Sequence, residues 1–354
     1  MGKKTNNALD ESLIGGSLEI YFSTAVTYVV VSAAAGTELS RCRFDTAGGS
    51  GAWDYLRVDT QARRLYVSHG SEVFVIDLNS RKPLGTMSGF GFVHGIVLVD
   101  DLHRGFISDG DKNVVDIFDP STLKVTHTIK TLNDPNSMVY ERSTRRMFVG
   151  HKTSHAMTVI DAETGRIEGI IHLDAEPEFP VSDGKGHIYV NTEDTSEILK
   201  IDARTLTIKA RWPLAPCKSP SGLAFDPHAN MLFSACSNNL MAIVDAGSGK
   251  ITKTVEIGSG PDAAAYDPVM NRVFSSNGKS GTLTVIGRKA GNSYAVLQTV
   301  QTEKGARTMA LDVKTHAIYL STAKLGPPQL ATPGHPHTHP TALPDTFKVL
   351  VIEP

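Results

Sequence analysis

The chain has 354 residues, of which 40% are hydrophobic and 20% are charged, and its formal net charge is −2 at pH 7. This balance, together with the lack of any run of lysine and arginine, argues against nucleic acid as the main partner, because polyanion-binding surfaces are basic. The length allows two average domains, but a closed array of repeats forms a single domain of this size.

Residues 1–36 do not match the pattern that follows and are interpreted as a leader. They hold an apolar stretch of about 15 residues that closes on the small-residue motif Ala33-x-Ala35, an arrangement typical of a secretory signal peptide. Acidic residues ahead of the stretch weaken this interpretation, and a disordered or strand-forming leader is the alternative. The stretch is shorter than the ~20 residues of a membrane-spanning helix, so we expect no span in the mature chain. The predicted localisation is periplasmic or extracellular.

From residue 37 onward the sequence repeats at intervals of 40 to 45 residues. Each copy has a short apolar strand, an Asp-Pro-like turn, a second strand, a polar loop, a third strand that ends in Asp, a Gly turn and a fourth strand. Four short strands at this period are typical of a β-propeller blade. The copies start, in chain order, near residues 53, 93, 135, 177, 220, 261 and 306.

The seventh copy ends without a fourth strand of its own. The segment from Glu38 to Phe44, which precedes the first copy, can supply that strand. We therefore predict an all-β fold over residues 37–354, a seven-bladed β-propeller with four-stranded antiparallel blades and a ring closed by N- and C-terminal strands. Such closure removes two exposed sheet edges, which otherwise promote aggregation.

The clearest copies lie at residues 136–167 and 222–251, where Val-Ile-Asp or Ile-Val-Asp is followed by a Gly turn and Ile. With Tyr-Val or Phe-Val in second strands, this pattern resembles the YVTN-type β-propeller family of YncE-like proteins, over roughly residues 38–354. The resemblance implies a seven-bladed ring that is usually exported to the periplasm or the cell surface. It implies no shared reaction, because related propellers include lactonases, quinone-dependent dehydrogenases and DNA- or partner-binding proteins.

One aligned position near the start of each first strand carries a polar residue that differs from blade to blade. In a propeller the first strands line the central channel, so these residues are predicted to ring its mouth. We interpret them as the candidate ligand-binding set: Asp54, His94, Asn136, Glu178, Ser221, Asp262 and Arg307. A solvated channel mouth without a ligand is the alternative.

Carboxylates in this ring suit a hard divalent cation, with Glu178 and Asp262 as the main candidate ligands. Such an ion polarises a lactone carbonyl or activates water, and His94 is the candidate catalytic base. Arg307 instead suits a carboxylate or phosphate ligand. The insertion in the seventh repeat offers a weaker candidate site for a transition metal, formed by the alternating imidazoles of His335, His337 and His339.

Second strands run back toward the channel mouth, so the residues at their ends are predicted to form a secondary rim. Turn formation does not require His69, His151 or Glu193, which makes these three the secondary candidates.

Cys217 lies just before the first strand of the fifth repeat, and Cys236 ends its second strand. Antiparallel neighbours bring these positions close together, so a disulfide is geometrically reasonable in an oxidising compartment. Two buried thiols are the alternative.

These observations favour an exported, monomeric propeller that binds a small molecule or a protein at its channel face. A metal-assisted hydrolase or lactonase is the first alternative, and a redox protein with a quinone or a copper ion is the second. The sequence has no P-loop, no Gly-x-Ser-x-Gly elbow and no zinc-spaced Cys/His pair. It therefore assigns no reaction, and a divalent metal ion is the one cofactor that it suggests.

Overall fold

The computed structural model describes residues 18–23, 26–31, 39–44, 52–289, 293–326 and 342–354. The chain divides into two compact units, Met1–Leu39 with Pro354, and Ser40–Glu353. The first unit contains two antiparallel strands, β1 (Leu18–Ser23) and β2 (Val26–Val31). The rest of the predicted leader, and the histidines of the seventh-repeat insertion, lie outside the described residues: His335, His337 and His339. No helix within the described ranges has the length and hydrophobicity that crossing a bilayer requires.

The second unit begins with β3 (Ser40–Phe44) and continues as successive groups of strands. Blade 1 contains β4 (Trp53–Asp59), β5 (Arg64–His69), β6 (Glu72–Asp77) and β7 (Pro83–Ser88). Blade 2 contains β8 (Val93–Val99), β9 (Arg104–Asp109), β10 (Val114–Asp119) and β11 (Lys124–Lys130), with a 3₁₀ turn at Asp100–Leu102. Blade 3 contains β12 (Pro135–Glu141), β13 (Arg146–His151), β14 (Ala156–Asp161) and β15 (Ile167–His172).

Blade 4 contains β16 (Pro177–Ser182), β17 (His187–Thr192), β18 (Glu197–Asp202) and β19 (Thr207–Pro213). Blade 5 contains β20 (Pro220–Asp226), β21 (Met231–Cys236), β22 (Leu240–Asp245) and β23 (Ile251–Glu256). Blade 6 contains β24 (Pro261–Asp267), β25 (Arg272–Asn277), β26 (Thr282–Lys289) and β27 (Ser293–Gln301). Blade 7 contains β28 (Met309–Asp312), β29 (Ala317–Thr322) and β30 (Lys348–Glu353), and β3 is its fourth strand.

The blades form a closed ring around a central channel. First strands of successive blades contact one another from β4 to β28, and β28 also contacts β4. In blade 7, β3 pairs antiparallel with β30, from Ser40 opposite Glu353 to Phe44 opposite Val349. The predicted seven-bladed, four-stranded propeller and its closure by strands from both ends are therefore confirmed. The first strand of blade 7 begins later than expected, because a turn precedes it in which the Ala306 N–H donates to the Glu303 carbonyl at 3.1 Å.

The core lies between the blades. Second strands are buried on both faces, as in β21, where every residue is buried. Each second strand contributes one buried aromatic side chain at the same register position: Tyr66, Phe106, Phe148, Tyr189, Phe233, Phe274 and Tyr319. Fourth strands face solvent, as the mostly exposed β11 shows. This gradient explains why β-branched and aromatic residues concentrate in the inner strands.

Strand register defines two ends of the ring. Trp53 pairs with His69, which pairs with Glu72, so first strands start where second strands end and third strands start. Third strands end at the opposite side, which we call the turn end. In blades 1 to 5 the last residue of the third strand is an aspartate whose carboxylate accepts N–H groups of the following turn: Asp77, Asp119, Asp161, Asp202 and Asp245.

Candidate functional site: the channel mouth

A β-bulge interrupts the first strands near their start. In blade 1 the pair Trp53 and His69 is followed by Leu56 and Val67, so Asp54 and Tyr55 share one position of the ladder. The same register shift recurs in blades 2 to 6. Bulges bend a strand and redirect its side chains. The recurring bulge therefore explains how the second residue of the first strand reaches the channel mouth in blades 1 to 6, whereas Arg307 of blade 7 lies before β28.

A belt of hydrogen bonds joins neighbouring blades at the level of the mouth. A side chain of one blade donates to a first-strand carbonyl of the next, as Ser108 does to Asn136 at 2.6 Å and Thr308 does to Asp54 at 2.6 Å. The other donors and acceptors are Ser137 to Glu178, Asn191 to Ser221, Ser221 to Pro261, and Ser276 to Arg307. The belt fixes the backbone of the candidate residues and leaves most of their side chains free to differ.

Blades 1 and 2 are joined at this level by a side-chain contact instead. Asp54 Oδ2 lies 2.7 Å from His94 Nδ1, and the Asn136 amide nitrogen lies 3.4 Å from the same ring atom. On its other side, Asp54 Oδ1 lies 3.6 Å from an Arg307 nitrogen, and Arg307 also contacts Asp262. Five of the seven predicted mouth residues therefore form one continuous polar network across blades 3, 2, 1, 7 and 6.

A second polar group lies on the blade 3 and blade 4 side of the mouth. Lys152 Nζ is 2.6 Å from Glu178 Oε1 and also contacts Glu193. Glu193, at the predicted secondary rim, is thus at the mouth and half-exposed. Ser221 differs from the other candidates, because its hydroxyl donates to backbone carbonyls and serves the belt.

An aromatic pair lies across the channel beside these polar groups, since Tyr55 follows Asp54 and Phe179 follows Glu178. The rings of Tyr55 and Phe179 are 5.5 Å apart between centroids and meet edge to face. Their strands belong to blades 1 and 4, which are not neighbours in the ring, so this contact crosses the axis. Within the described residues the Tyr55 hydroxyl makes no hydrogen bond. We call the Tyr55–Phe179 pair the aromatic floor of the mouth.

Carboxyl groups of the mouth hold protons more tightly than usual. Burial raises the pKa of Glu178, against the opposing effect of the Lys152 ammonium. Burial likewise raises the pKa of Asp262, although the Arg307 guanidinium works to lower it. Burial also raises the pKa of Tyr55 well above 10, and nearby carboxylates add to that rise. These directions indicate that burial favours the protonated forms of these groups at the mouth.

The pKa of His94 is also raised. Burial alone would lower it, but the hydrogen bond and charge of Asp54, with the charge of Asp134, outweigh burial. Asp134 Oδ1 lies 3.6 Å from His94 Nε2. The imidazole is therefore held between two carboxylates, and the imidazolium form is favoured.

The geometry does not assemble the predicted metal ligands. Glu178 and Asp262 each contact a fixed cation, Lys152 and Arg307 respectively. In the part of the chain that the structure describes, no group of three or more His, Cys, Asp or Glu side chains is placed to hold a metal ion.

Two predicted rim histidines lie in the interior instead. The His69 ring is buried and packs 4.4 Å from the Phe347 ring. His151 is buried with Nε2 2.9 Å from Thr158 Oγ1, and burial lowers its pKa to about 4. Both residues end second strands, which are buried on both faces, so their side chains point between blades and not toward solvent.

The sequence reasoning missed Tyr55, Phe179, Lys152 and Asp134. Tyr55 and Phe179 directly follow aligned mouth positions, but their meeting requires the bulge and the width of the channel, which the repeat pattern does not reveal. Lys152 directly follows His151, a predicted rim residue, so the sequence could have identified it as a candidate for the mouth.

Cys217 and Cys236 are bonded as a disulfide, with their Cα atoms 5.7 Å apart. The bond lies within blade 5, where both residues are buried. It ties the segment before β20 to the end of β21, on the same side as the channel mouth.

Comparisons with known proteins agree with this architecture. No family model matches the sequence. The chain is similar to the uncharacterized protein YncE of Salmonella typhi and of Salmonella typhimurium, with 26% identity over 199 residues. YncE of Escherichia coli K12 is 24% identical over the same length. Each match covers 51% of this chain and 56% of the relative, so the chain spans about half the length of the curated relatives it matches.

The fold also matches a chain in a crystal structure of the mitotic checkpoint complex, with a TM-score of 0.72. That match covers 93% of this chain and 98% of the other at 12% identity. At this identity the likeness speaks only for the fold.

Proposed function

We propose that this YncE-like β-propeller is a binding protein whose channel mouth holds a small molecule or a segment of a protein partner. The observation that carries the proposal is the convergence of Asp54, His94, Asn136, Asp262 and Arg307 in one network above an aromatic floor. The belt joins the other neighbouring blades through backbone carbonyls, whereas the contact between Asp54 and His94 joins blades 1 and 2. Most polar groups of the network are therefore available for recognition.

A thermal-unfolding screen tests this proposal with four probe sets: small amines, carboxylates, sugars and lactones. We expect one set to raise the Tm of the unmodified protein and to leave the Tm of the Asp262→Asn variant unchanged. The control is Glu163→Gln, which neutralises an exposed carboxylate at the turn end and retains the response. A screen in which every responding probe shifts all three proteins equally, or in which no probe responds, contradicts a binding site at the mouth.

We further propose that the protein is exported. The leader pattern of residues 1–36 supports this, and so does the Cys217–Cys236 disulfide, because such bonds persist in oxidising compartments. Cell fractionation with thiol alkylation tests the proposal. Export predicts that the protein lies outside the cytoplasm and that Cys217 and Cys236 resist alkylation until reduced, whereas a cytoplasmic protein with two reactive thiols would contradict it.

One observation favours a second candidate, a hydrolase. The contact between Asp54 and His94 Nδ1 orients an imidazole in the way that general acids and bases are commonly held. Hydrolysis of a lactone panel that is lost in His94→Gln would support this function. Equal rates for the variant and the unmodified protein would eliminate it.

A further inference from the structure

We propose that the mouth recognises an organic cation, namely a primary ammonium or guanidinium group carried on a short aliphatic chain. This inference rests on the proposed binding function and names its ligand class. The geometry that points to it is a set of carboxylates arranged around the Tyr55–Phe179 floor.

The first argument is the charge balance of the described mouth. Lys152 and Arg307 are the fixed cations that contact the candidate residues. Five carboxyl groups lie against these two cations or against His94: Asp54, Asp134, Glu178, Glu193 and Asp262. Burial raises the pKa of Glu178 to about 8, so this group is largely protonated at pH 7. Even with His94 protonated as well, negative charge among the remaining groups exceeds positive charge by one. An added cation is therefore attracted to the mouth, whereas an added anion is repelled.

The second argument is that the mouth already holds two cationic side chains, each between a pair of carboxyl groups. Lys152 bridges Glu178 and Glu193, and Arg307 bridges Asp262 and Asp54. Each bridge shows that an ammonium or a guanidinium fits between two carboxylates at this level. A carboxylate has more lone pairs than one ion pair occupies. Each bridging carboxylate can therefore also accept a hydrogen bond from a ligand.

The third argument is the aromatic floor, which distinguishes an organic cation from a metal ion. An ammonium above the face of an aromatic ring is attracted by the ring quadrupole, and the aliphatic chain gains from apolar contact. A hard metal ion requires several converging oxygen ligands, a grouping that the described residues do not provide. The unbonded Tyr55 hydroxyl adds a polar group at the floor for the ligand to contact.

Isothermal titration with matched probes tests the proposal. The small-molecule series is n-pentylamine, the neutral 1-pentanol and the anionic pentanoate. The peptide series is Gly-Gly-Lys-Gly-Gly and the same peptide with norleucine in place of lysine. We expect the charged amine to bind at least tenfold more tightly than its neutral counterpart in at least one series. Tighter binding of the lysine peptide than of pentylamine identifies a protein segment as the source of the cation, and the reverse order identifies a free amine.

Variants locate the binding. Glu178→Gln and Phe179→Leu are each expected to weaken binding of the amine at least threefold, by removing a carboxyl group and an aromatic face respectively. Glu163→Gln at the turn end is the matched control and retains full affinity. Mouth-dependent binding of pentanol or pentanoate in place of the amine would overturn the cation proposal and leave the binding function standing. Absence of mouth-dependent binding for every probe would overturn both.

Discussion

Carboxylates at the two ends of this ring have opposite properties. At the turn end, Asp161 and its counterparts accept N–H groups from the residues that follow them, and their pKa values are lowered. At the mouth, Glu178 and Asp262 have raised pKa values, because burial outweighs the cations beside them. The same chemical group is thus held ionised by turn N–H groups at one end and is shifted toward its protonated form by burial at the other.

The difference separates the requirements of the fold from those of the site. Turn aspartates recur at the same position in five blades, since the turn after the third strand in these blades needs the same acceptor. Mouth residues change from blade to blade, since the belt beneath them relies on carbonyl groups that any residue supplies. A residue that repeats at one position of the blades therefore indicates a structural role, and a residue that varies at one position indicates the candidate site.

The largest effect is expected when the mouth loses a cation. Arg307→Gln leaves Asp262 without its ion-pair partner, and we expect the free energy of unfolding to fall by about 1–2 kcal/mol at pH 7, since both side chains are only partly buried. The loss should shrink as the pH falls, because Asp262, whose pKa is already raised, becomes protonated and no longer needs the cation. Urea denaturation at pH 7 and near pH 4 measures the loss of unfolding free energy and its dependence on pH.

The matched control is Arg81→Gln, which removes an exposed ion pair with Glu353 at 2.6 Å. Exposed pairs contribute little, so the expected change is below about 0.5 kcal/mol. Equal losses for the two arginines would show that the mouth is no different from the general surface.

A smaller effect is expected at the turn end. Asp161→Ala removes the acceptor for Glu163 and Thr164 and should cost about 1 kcal/mol at neutral pH. Burial works to raise the pKa of Asp161, but the turn hydrogen bonds outweigh it and lower the pKa. The contribution is therefore present above the unfolded pKa of about 3.9 and is lost as the pH falls through the lower folded value.

Asp161→Asn separates the carboxylate charge from the acceptor, because the amide oxygen still accepts hydrogen bonds. We expect this variant to keep most of the stability and to lose the acid-dependent part. A large loss for Asn, equal to that for Ala, would show that the charge and not the turn geometry is responsible.

The last prediction concerns the difference in pKa between two histidines. NMR titration should give His94 a pKa above 6.5, because Asp54 and Asp134 outweigh burial, and His151 a pKa of about 4. Asp54→Asn should lower the value for His94 and leave His151 unaffected. A His94 that titrates below 6.5 in the unmodified protein would contradict the ion-pair geometry of the mouth.

Much of the fold follows from the repeat pattern. The 40-to-45-residue period gave seven blades, and the missing fourth strand after residue 352 matched the segment that became β3. Alignment of the repeats also placed Asp54, His94 and Arg307 at one mouth, because equivalent residues of a closed ring lie around one axis.

The remaining features depend on side-chain directions that the pattern does not contain. Polarity at strand ends predicted rim positions for His69 and His151, yet burial of both strand faces directs these rings between blades. The contact of Tyr55 with Phe179 joins blades that are distant in sequence, and it depends on the bulge in each first strand.

A comparison of two double variants tests the central claim most directly. One neutralises the mouth carboxylates, with Glu178→Gln and Asp262→Asn, and the other neutralises the turn carboxylates, with Asp161→Asn and Asp202→Asn. Titration of each folded protein with the lysine peptide and with n-pentylamine should show that affinity is lost in the first and unchanged in the second. Equal affinity in both would contradict a cation-binding mouth, and would remove the distinction between the two ends of the ring.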